Sequence, residues 1–201
     1  MLPQNDRESP LRLVAGLGNP GPKYAETRHN LGFRVCEKLS AALGAEFHRE
    51  KFEALAAEAR TPRGKVILLE PQTFMNLSGV AVASAVRFYR LDLQQVLVVC
   101  DDFNLDLGLL RFRRGGSHGG HNGLKDVIEK LGDEAFPRLR LGTGPLAGRD
   151  AVAFCLSRFE PGERECVTEM VDRAAEAVRV WLESGIDGAM NRYNAKVSDN
   201  P

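Results

Sequence analysis

The hydrophobic pattern of the chain changes period several times. LRLVAG (11–16), KVILLE (65–70) and VLVVCD (96–101) are short, almost continuous apolar runs. Such runs fit strands buried on both faces of a sheet. Between them the apolar positions fall at helical spacing. LGFRVCEKLSAALG (31–44) brings Phe33, Leu39 and Leu43 together, and Gly44 suits its end. SGVAVASAVRFYRL (78–91) reads as a helix, and GLKDVIEKLG (123–132) sets Leu124, Val127, Ile128 and Leu131 on one side. GLLRFRR (108–114) alternates Leu110 and Phe112 with Arg111 and Arg113, which predicts an edge strand, and RLRLGTG (138–144) predicts another strand. PGERECVTEMVDRAAEAVRVWLESG (161–185) predicts a long helix and DGAMNRYN (187–194) a short final one. KFEALAAEA (51–59) is ambiguous: its composition favours a helix, its place between elements a strand. Strands alternating with helices predict an α/β fold, with a partly parallel sheet and helices on both faces. One domain over 11–194 is expected, with loose polar ends at 1–10 and 195–201.

Composition changes this picture little. The 201 residues suffice for one buried core, and 27 basic against 27 acidic residues exert no global pull on nucleic acid. MLPQNDRESP lacks the apolar stretch of a secretory signal and no run reaches membrane-spanning length, so a cytoplasmic location is expected. Cys36, Cys100, Cys155 and Cys166 show no paired spacing, and buried free thiols are expected.

Two glycine motifs invite functional readings that their context refuses. GLGNPG (16–21) matches the dinucleotide spacing G-x-G-x-x-G. That turn must open directly into a helix whose amides face a pyrophosphate. Here Pro20 and Pro22 flank Gly21, and the next helical pattern starts only near Asn30. A Pro-Gly loop carrying Asn19 is the better reading, and no cofactor is expected. GGSHG (115–119) matches the nucleophile-elbow spacing, but further glycines come after it and no histidine lies beyond His121.

Ligands bind beyond the carboxyl ends of strands in open α/β sheets. Asn19, Tyr24, Arg28, His29 and Asn30 come after the first strand, and Asn76 after KVILLE. Asp101 and Asp102 close VLVVC, while His118, His121 and Asn122 come after GLLRFRR. These groups could share one sheet edge. The chemistry they suggest is water activation. His29 suits a base near neutral pH, and Asp101 could fix its tautomer. Asn19, Asn76 and Asn122 are neutral groups able to hold a carbonyl or amide. Blander roles stay open: His29 as a turn residue, Asp101 and Asn76 as caps. His118 and His121 form H-x-x-H, which with Asp101 raises a metal-dependent alternative.

Between 108 and 149 eight basic residues face four acidic ones, a local excess of four positive charges. A glycine loop opening into a helix suits an anion, although on charge alone the stretch also fits a solvated surface.

Together these residues resemble the bacterial-type peptidyl-tRNA hydrolase family. The resemblance lies in GLGNPGPKYAETRHNLGF (16–33), PQTFMNLSG (71–79), CDDFNLDLG (100–108), GGSHGGHNGLKDVI (115–128) and FPRLRLGTG (136–144), in family order. It implies a single-domain monomer with a mixed, mostly parallel sheet between helices in three layers. It also implies metal-independent cleavage of the ester joining a peptide to the 3′ ribose of tRNA. The catalytic histidine maps onto His29 and its acid onto Asp101. The substrate-holding asparagines map onto Asn19, Asn76 and Asn122, and Tyr24 and Met75 fall at cleft positions. A basic pair for the tRNA 5′ phosphate maps onto Arg113 and Arg140. Asn104, Arg113 and Thr143 stand where many members have Asp, Lys and an aliphatic residue. The loss of a charge at Asn104, read as lying near Asp101, implies an altered pH profile. The alternative is an RNA-binding protein on the same fold without hydrolysis.

Overall fold

The computed structural model describes residues 10–194, and the expected loose ends lie outside them apart from Pro10. Its strands are β1 (Arg12–Gly16), β2 (Arg49–Lys51), β3 (Ala54–Thr61), β4 (Gly64–Pro71), β5 (Val96–Asp102), β6 (Leu110–Arg113) and β7 (Arg138–Gly142). Its helices are α1 (Leu31–Ala42), α2 (Ser78–Tyr89), α3 (Asn122–Leu131), α4 (Ala151–Cys155) and α5 (Arg164–Tyr193). One sheet runs in the order β2-β3-β4-β1-β5-β7-β6. Its centre, β4-β1-β5-β7, is parallel, and both margins are antiparallel. The continuous apolar runs are the central strands, covered on both faces. Leu13, Ala15, Ile67, Leu69 and Val98 pack under α2 and α3. Val14, Leu68, Leu97, Val99 and Leu139 pack under α1 and α5, with Trp181 among them. The result is three layers.

The ambiguous stretch 51–59 is strand, not helix. Phe52 and Glu53 both take positive φ, 59° and 54°, and turn the chain from β2 into β3. β3 then pairs with β4 along its whole length, from Ala54 opposite Pro71 to Thr61 opposite Gly64. Sheet pairing thus overrides the helical preference of Ala and Glu. The break expected near 185 is present inside α5, where Gly185 has φ 70° and ψ −172°. The five-residue α4 escaped the sequence reading because it is too short to show a period. Its one signal is Asp150, whose side chain accepts from the Ala153 amide at 2.8 Å.

Gly16 and Gly18 of GLGNPG serve packing, whereas Gly21 stands in open space with φ 97° and serves the turn. A Cβ on Gly16 would stand 2.3 Å from the Gly32 carbonyl oxygen, and one on Gly32 would stand 2.3 Å from the Leu17 nitrogen. The end of β1 and the first turn of α1 therefore cross at backbone contact, which brings the turn before α1 against the sheet. All four cysteines are unpaired. Among the described residues no helix is long and apolar enough to cross a membrane.

One buried polar group is at odds with this core. Glu70, near the end of β4, is 4% exposed, and its Oε1 has no hydrogen-bond partner. Burial, reinforced by Glu37, pushes its carboxyl up to about 8. The folded state thus favours the protonated acid. Its contribution is complete below the unfolded pKa of about 4 and is lost as pH rises to about 8. Glu70→Gln is expected to flatten this slope and to raise the urea midpoint at pH 8 relative to wild type. Equal pH slopes in the two proteins would refute it.

Candidate active site

Three consecutive side chains, Arg28, His29 and Asn30, occupy a short 3-10 turn before α1, and all three are buried. Each reaches a different part of the chain. The Arg28 guanidinium donates to Ser157 Oγ at 2.9 Å and to Glu163 Oε2 at 2.5 Å, and also bonds the Arg158 carbonyl. Asn30 exchanges two hydrogen bonds with the Asn19 backbone, at 2.9 and 3.0 Å. His29 reaches across to β5, where its Nδ1 lies 2.8 Å from Asp101 Oδ1.

The same carboxylate oxygen meets a second imidazole, with His121 Nε2 at 3.1 Å. The two rings lie 4.8 Å apart. His121 caps α3, its Nδ1 accepting from the Leu124 amide at 3.2 Å. That bond places the His121 proton on Nε2, which donates to Asp101. His29 likewise donates through Nδ1, so its Nε2 is left with a lone pair toward the cleft that it lines. Burial opposes charging of the His29 ring, but Asp101 outweighs it and raises the pKa above the usual histidine value. Burial alone would raise Asp101, yet the two imidazoles hold it well below the carboxylate range. The Cys155 thiol also lies beside Asp101, and burial followed by that charge pushes it up to about 12. It is no ready nucleophile.

The cleft has a volume of about 610 Å³, and Asn19, Tyr24, Met75, Asn76 and Asn122 all line it. Asn19 Oδ1 accepts from the Met75 amide at 2.8 Å, which leaves its Nδ2 as the free donor. Asn76 and Asn122 are exposed, and neither side-chain amide has a protein partner among the described residues. The capping role left open for Asn76 is not present, since α2 has no side-chain cap at its N-terminus. Instead Asp126 of α3 accepts from the Gly79 amide at 2.7 Å. That bond ties the N-terminal turn of α2, next to Asn76, to α3, which opens at Asn122. The H-x-x-H grouping does not form around Asp101. The three residues gathered there, with ligand atoms within 4.8 Å, are His29, Asp101 and His121. His118 sits on the exposed loop, its Nδ1 accepting from Gly120.

Arg113 and Arg140 also line this cleft. β6 is antiparallel to β7, with Arg111 opposite Arg140 and Arg113 opposite Arg138. All four guanidinium stems therefore leave one sheet face. Arg113 lies beside the start of β7, whereas Asp101 lies at the end of β5. The glycine loop crosses from one end to the other. Arg138 is 1% exposed and fastens that loop through the carbonyls of Gly116, at 2.6 Å, and Ser117. Arg140 pairs with Asp102, whereas Arg113 is exposed and has no carboxylate partner among the described residues.

A family model described as peptidyl-tRNA hydrolase matches residues 13–200. The chain belongs to the peptidyl-tRNA hydrolase family. It is 50% identical over 182 residues to a peptidyl-tRNA hydrolase of Caldanaerobacter subterraneus subsp. tengcongensis, covering 90% of this chain and 98% of that relative. It is 48% identical over 194 residues to one from a Synechococcus strain, covering 96% of this chain and 87% of that protein. The crystal structure of peptidyl-tRNA hydrolase from Acinetobacter baumannii superposes with a TM-score of 0.87 at 34% identity, over 94% of this chain and 96% of that one. Two departures from the peptidyl-tRNA hydrolase pattern now have places. Asn104 bonds Asp102, not Asp101: its amide nitrogen donates to Asp102 Oδ1 at 3.1 Å and to the Gly119 carbonyl at 3.4 Å. Thr143 is buried, and its hydroxyl has no partner.

His121, Arg28 and Asn30 are the groups whose roles the sequence reading missed. His121 gave a signal as the residue before an amphipathic helix, the position of a cap.

Proposed function

We propose that this chain cleaves the ester between peptide and tRNA by a water molecule that His29 activates. The observation that carries this reading is the 2.8 Å contact of His29 Nδ1 with Asp101, which reserves Nε2 for the cleft. Nε2 takes a proton from water, whose oxygen attacks the ester carbonyl carbon. The free Nδ2 of Asn19 and the unpartnered amides of Asn76 and Asn122 are the donors and acceptors available to the developing oxyanion and the peptide. The tetrahedral intermediate then breaks its bond to the 3′ oxygen of the ribose. The imidazolium returns its proton to that oxygen, releasing tRNA and a peptide acid. Asp101 stabilises the imidazolium, and His121 holds Asp101. Tyr24 and Met75 shape the wall. Arg113 and Arg140 receive the 5′ phosphate, close to the ester on the acceptor stem. The chain acts as a monomer in the cytoplasm.

His29→Ala is expected to lower kcat by ~10²–10⁴-fold without unfolding the protein. In wild type kcat/KM should fall as pH drops through the raised pKa of His29, since only the neutral ring is a base. Asp101→Asn should lower the rate and move that limb to lower pH. A limb that stays in place in Asp101→Asn would break the link between the two residues.

No metal is required in this reading. Both imidazole nitrogens facing Asp101 carry protons, and the other nitrogen of His121 is taken by Leu124. Cleavage of a short substrate should survive a chelator. Loss of activity restored by one divalent ion would revive a metal site.

Arg113→Ala and Arg140→Ala should raise KM for full-length substrate while kcat stays near wild type. Each should flatten the salt dependence by roughly 0.7–0.9 in log–log slope. A short substrate without the 5′ phosphate should not distinguish variants from wild type. Equal losses on both substrates would make these arginines structural.

A further inference from the structure

We infer that Arg28 is a positioning residue for the reaction: its buried guanidinium locks the turn that carries His29 to the segment that carries the α4 wall of the cleft. The inference rests on the reading of His29 as the base.

Arg28 is 2% exposed, as deep as a core leucine. A charge at that depth is tolerated only when it is paired and hydrogen-bonded. The pairing is extensive. One nitrogen meets Ser157 Oγ and the Arg158 carbonyl, and another meets Glu163. The rings of Phe154 and Phe159 each lie 4.6 Å from the guanidinium carbon. The backbone is joined as well. The Arg28 amide donates to the Ser157 carbonyl at 3.0 Å, and Thr27 forms an antiparallel bridge with Arg158.

The far end of this clamp is itself rooted. Glu163 Oε2 also accepts from the Glu160 amide at 2.7 Å, in a reciprocal capping box just before α5. α4 immediately precedes the clamped segment, and its Ala151, Val152 and Cys155, with Leu156 just after it, line the cleft. One side chain therefore joins the catalytic turn, the cleft wall and the start of the longest helix.

A filler of the same volume would occupy the space with less desolvation cost. What apolar packing lacks is direction. The planar fork fixes the turn in rotation as well as in depth. Rotation is what His29 needs, because its Nδ1 must meet Asp101 while Nε2 faces the ester. A misplacement of about 1 Å in such a constellation costs on the order of 10²-fold in rate.

The test uses Arg28→Lys and Glu163→Gln in the full chain, with His29→Ala beside them. Lysine keeps the charge and loses the fork, and glutamine keeps the shape and loses the charge. kcat and KM are measured on peptidyl-tRNA, and the downfield proton resonance of His29 Nδ1 is followed by NMR. Arg28→Lys is expected to lower kcat roughly 10–100-fold at unchanged KM. The His29 proton should shift or broaden while that of His121 Nε2 stays. Glu163→Gln should act in the same direction with smaller effect. It decides the question if Arg28→Lys does not fold. A lowered melting temperature with wild-type kcat and an unmoved His29 resonance would show a merely structural arginine and overturn the inference. An active His29→Ala would refute the base assignment alone, because the His29 resonance in Arg28→Lys still reports positioning.

Discussion

Asp101 Oδ1 accepts from two imidazoles at once, and most of the cleft depends on that arrangement. A carboxylate buried to 2% exposure survives as an anion only where donors surround it. His29 and His121 are those donors, and each is held by its own second constraint. His121 is fixed by the α3 amide that it caps, and His29 by the turn between Arg28 and Asn30. The proton positions are therefore decided by the fold before substrate arrives. One imidazole nitrogen is left over, the Nε2 of His29, which lines the cleft.

The fold reaches this geometry through close backbone contact. Gly16 and Gly32 let β1 and α1 cross without side chains between them. The turn before α1 then lies against the end of β5, although 72 residues separate His29 from Asp101. In the glycine spacing that resembles a dinucleotide motif, Gly16 and Gly18 thus mark a tight strand–helix crossing and Gly21 a turn. The same three-glycine pattern serves two ends, and the residues just after the strand decide between them. Pro20 and Pro22 deny the immediate helix that a pyrophosphate needs.

Much of this was legible in the chain. Continuous apolar runs marked the central parallel strands, because burial on both faces leaves no polar alternation to obscure them. The polar residues beyond those strands included both imidazoles now found on Asp101, although not the Cys155 thiol beside it. The partners were not legible. Nothing local says that His121 shares Asp101 with His29, or that Arg28 reaches Glu163, because those contacts join residues 20 and 135 positions apart. The strand at 54–61 was obscured by alanines, whose helical preference is a local property and whose pairing with β4 is not. Asn104 was read as a neighbour of Asp101 from proximity in sequence. Successive residues of a strand face opposite sides, and its amide meets Asp102 instead.

That alternation at the end of β5 also separates the two tasks of the cleft. Asp101 belongs to the histidines, and Asp102, on the other sheet face, belongs to Arg140 and Asn104. Two adjacent carboxylates thus anchor the proposed chemical and phosphate ends without competing for one cation. Arg140 is neutralised in part by Asp102, whereas Arg113 has no carboxylate partner among the described residues. The pair is therefore asymmetric. Arg140 is pre-oriented and offers geometry, while Arg113 brings uncompensated charge. In the proposed reading an anion entering the cleft would gain orientation from one and attraction from the other. Asn104 extends this arrangement to the glycine loop, because its amide joins Asp102 to the Gly119 carbonyl. An aspartate there would face Asp102 with a like charge and lose both donations, so the amide suits a loop held close to the end of β5.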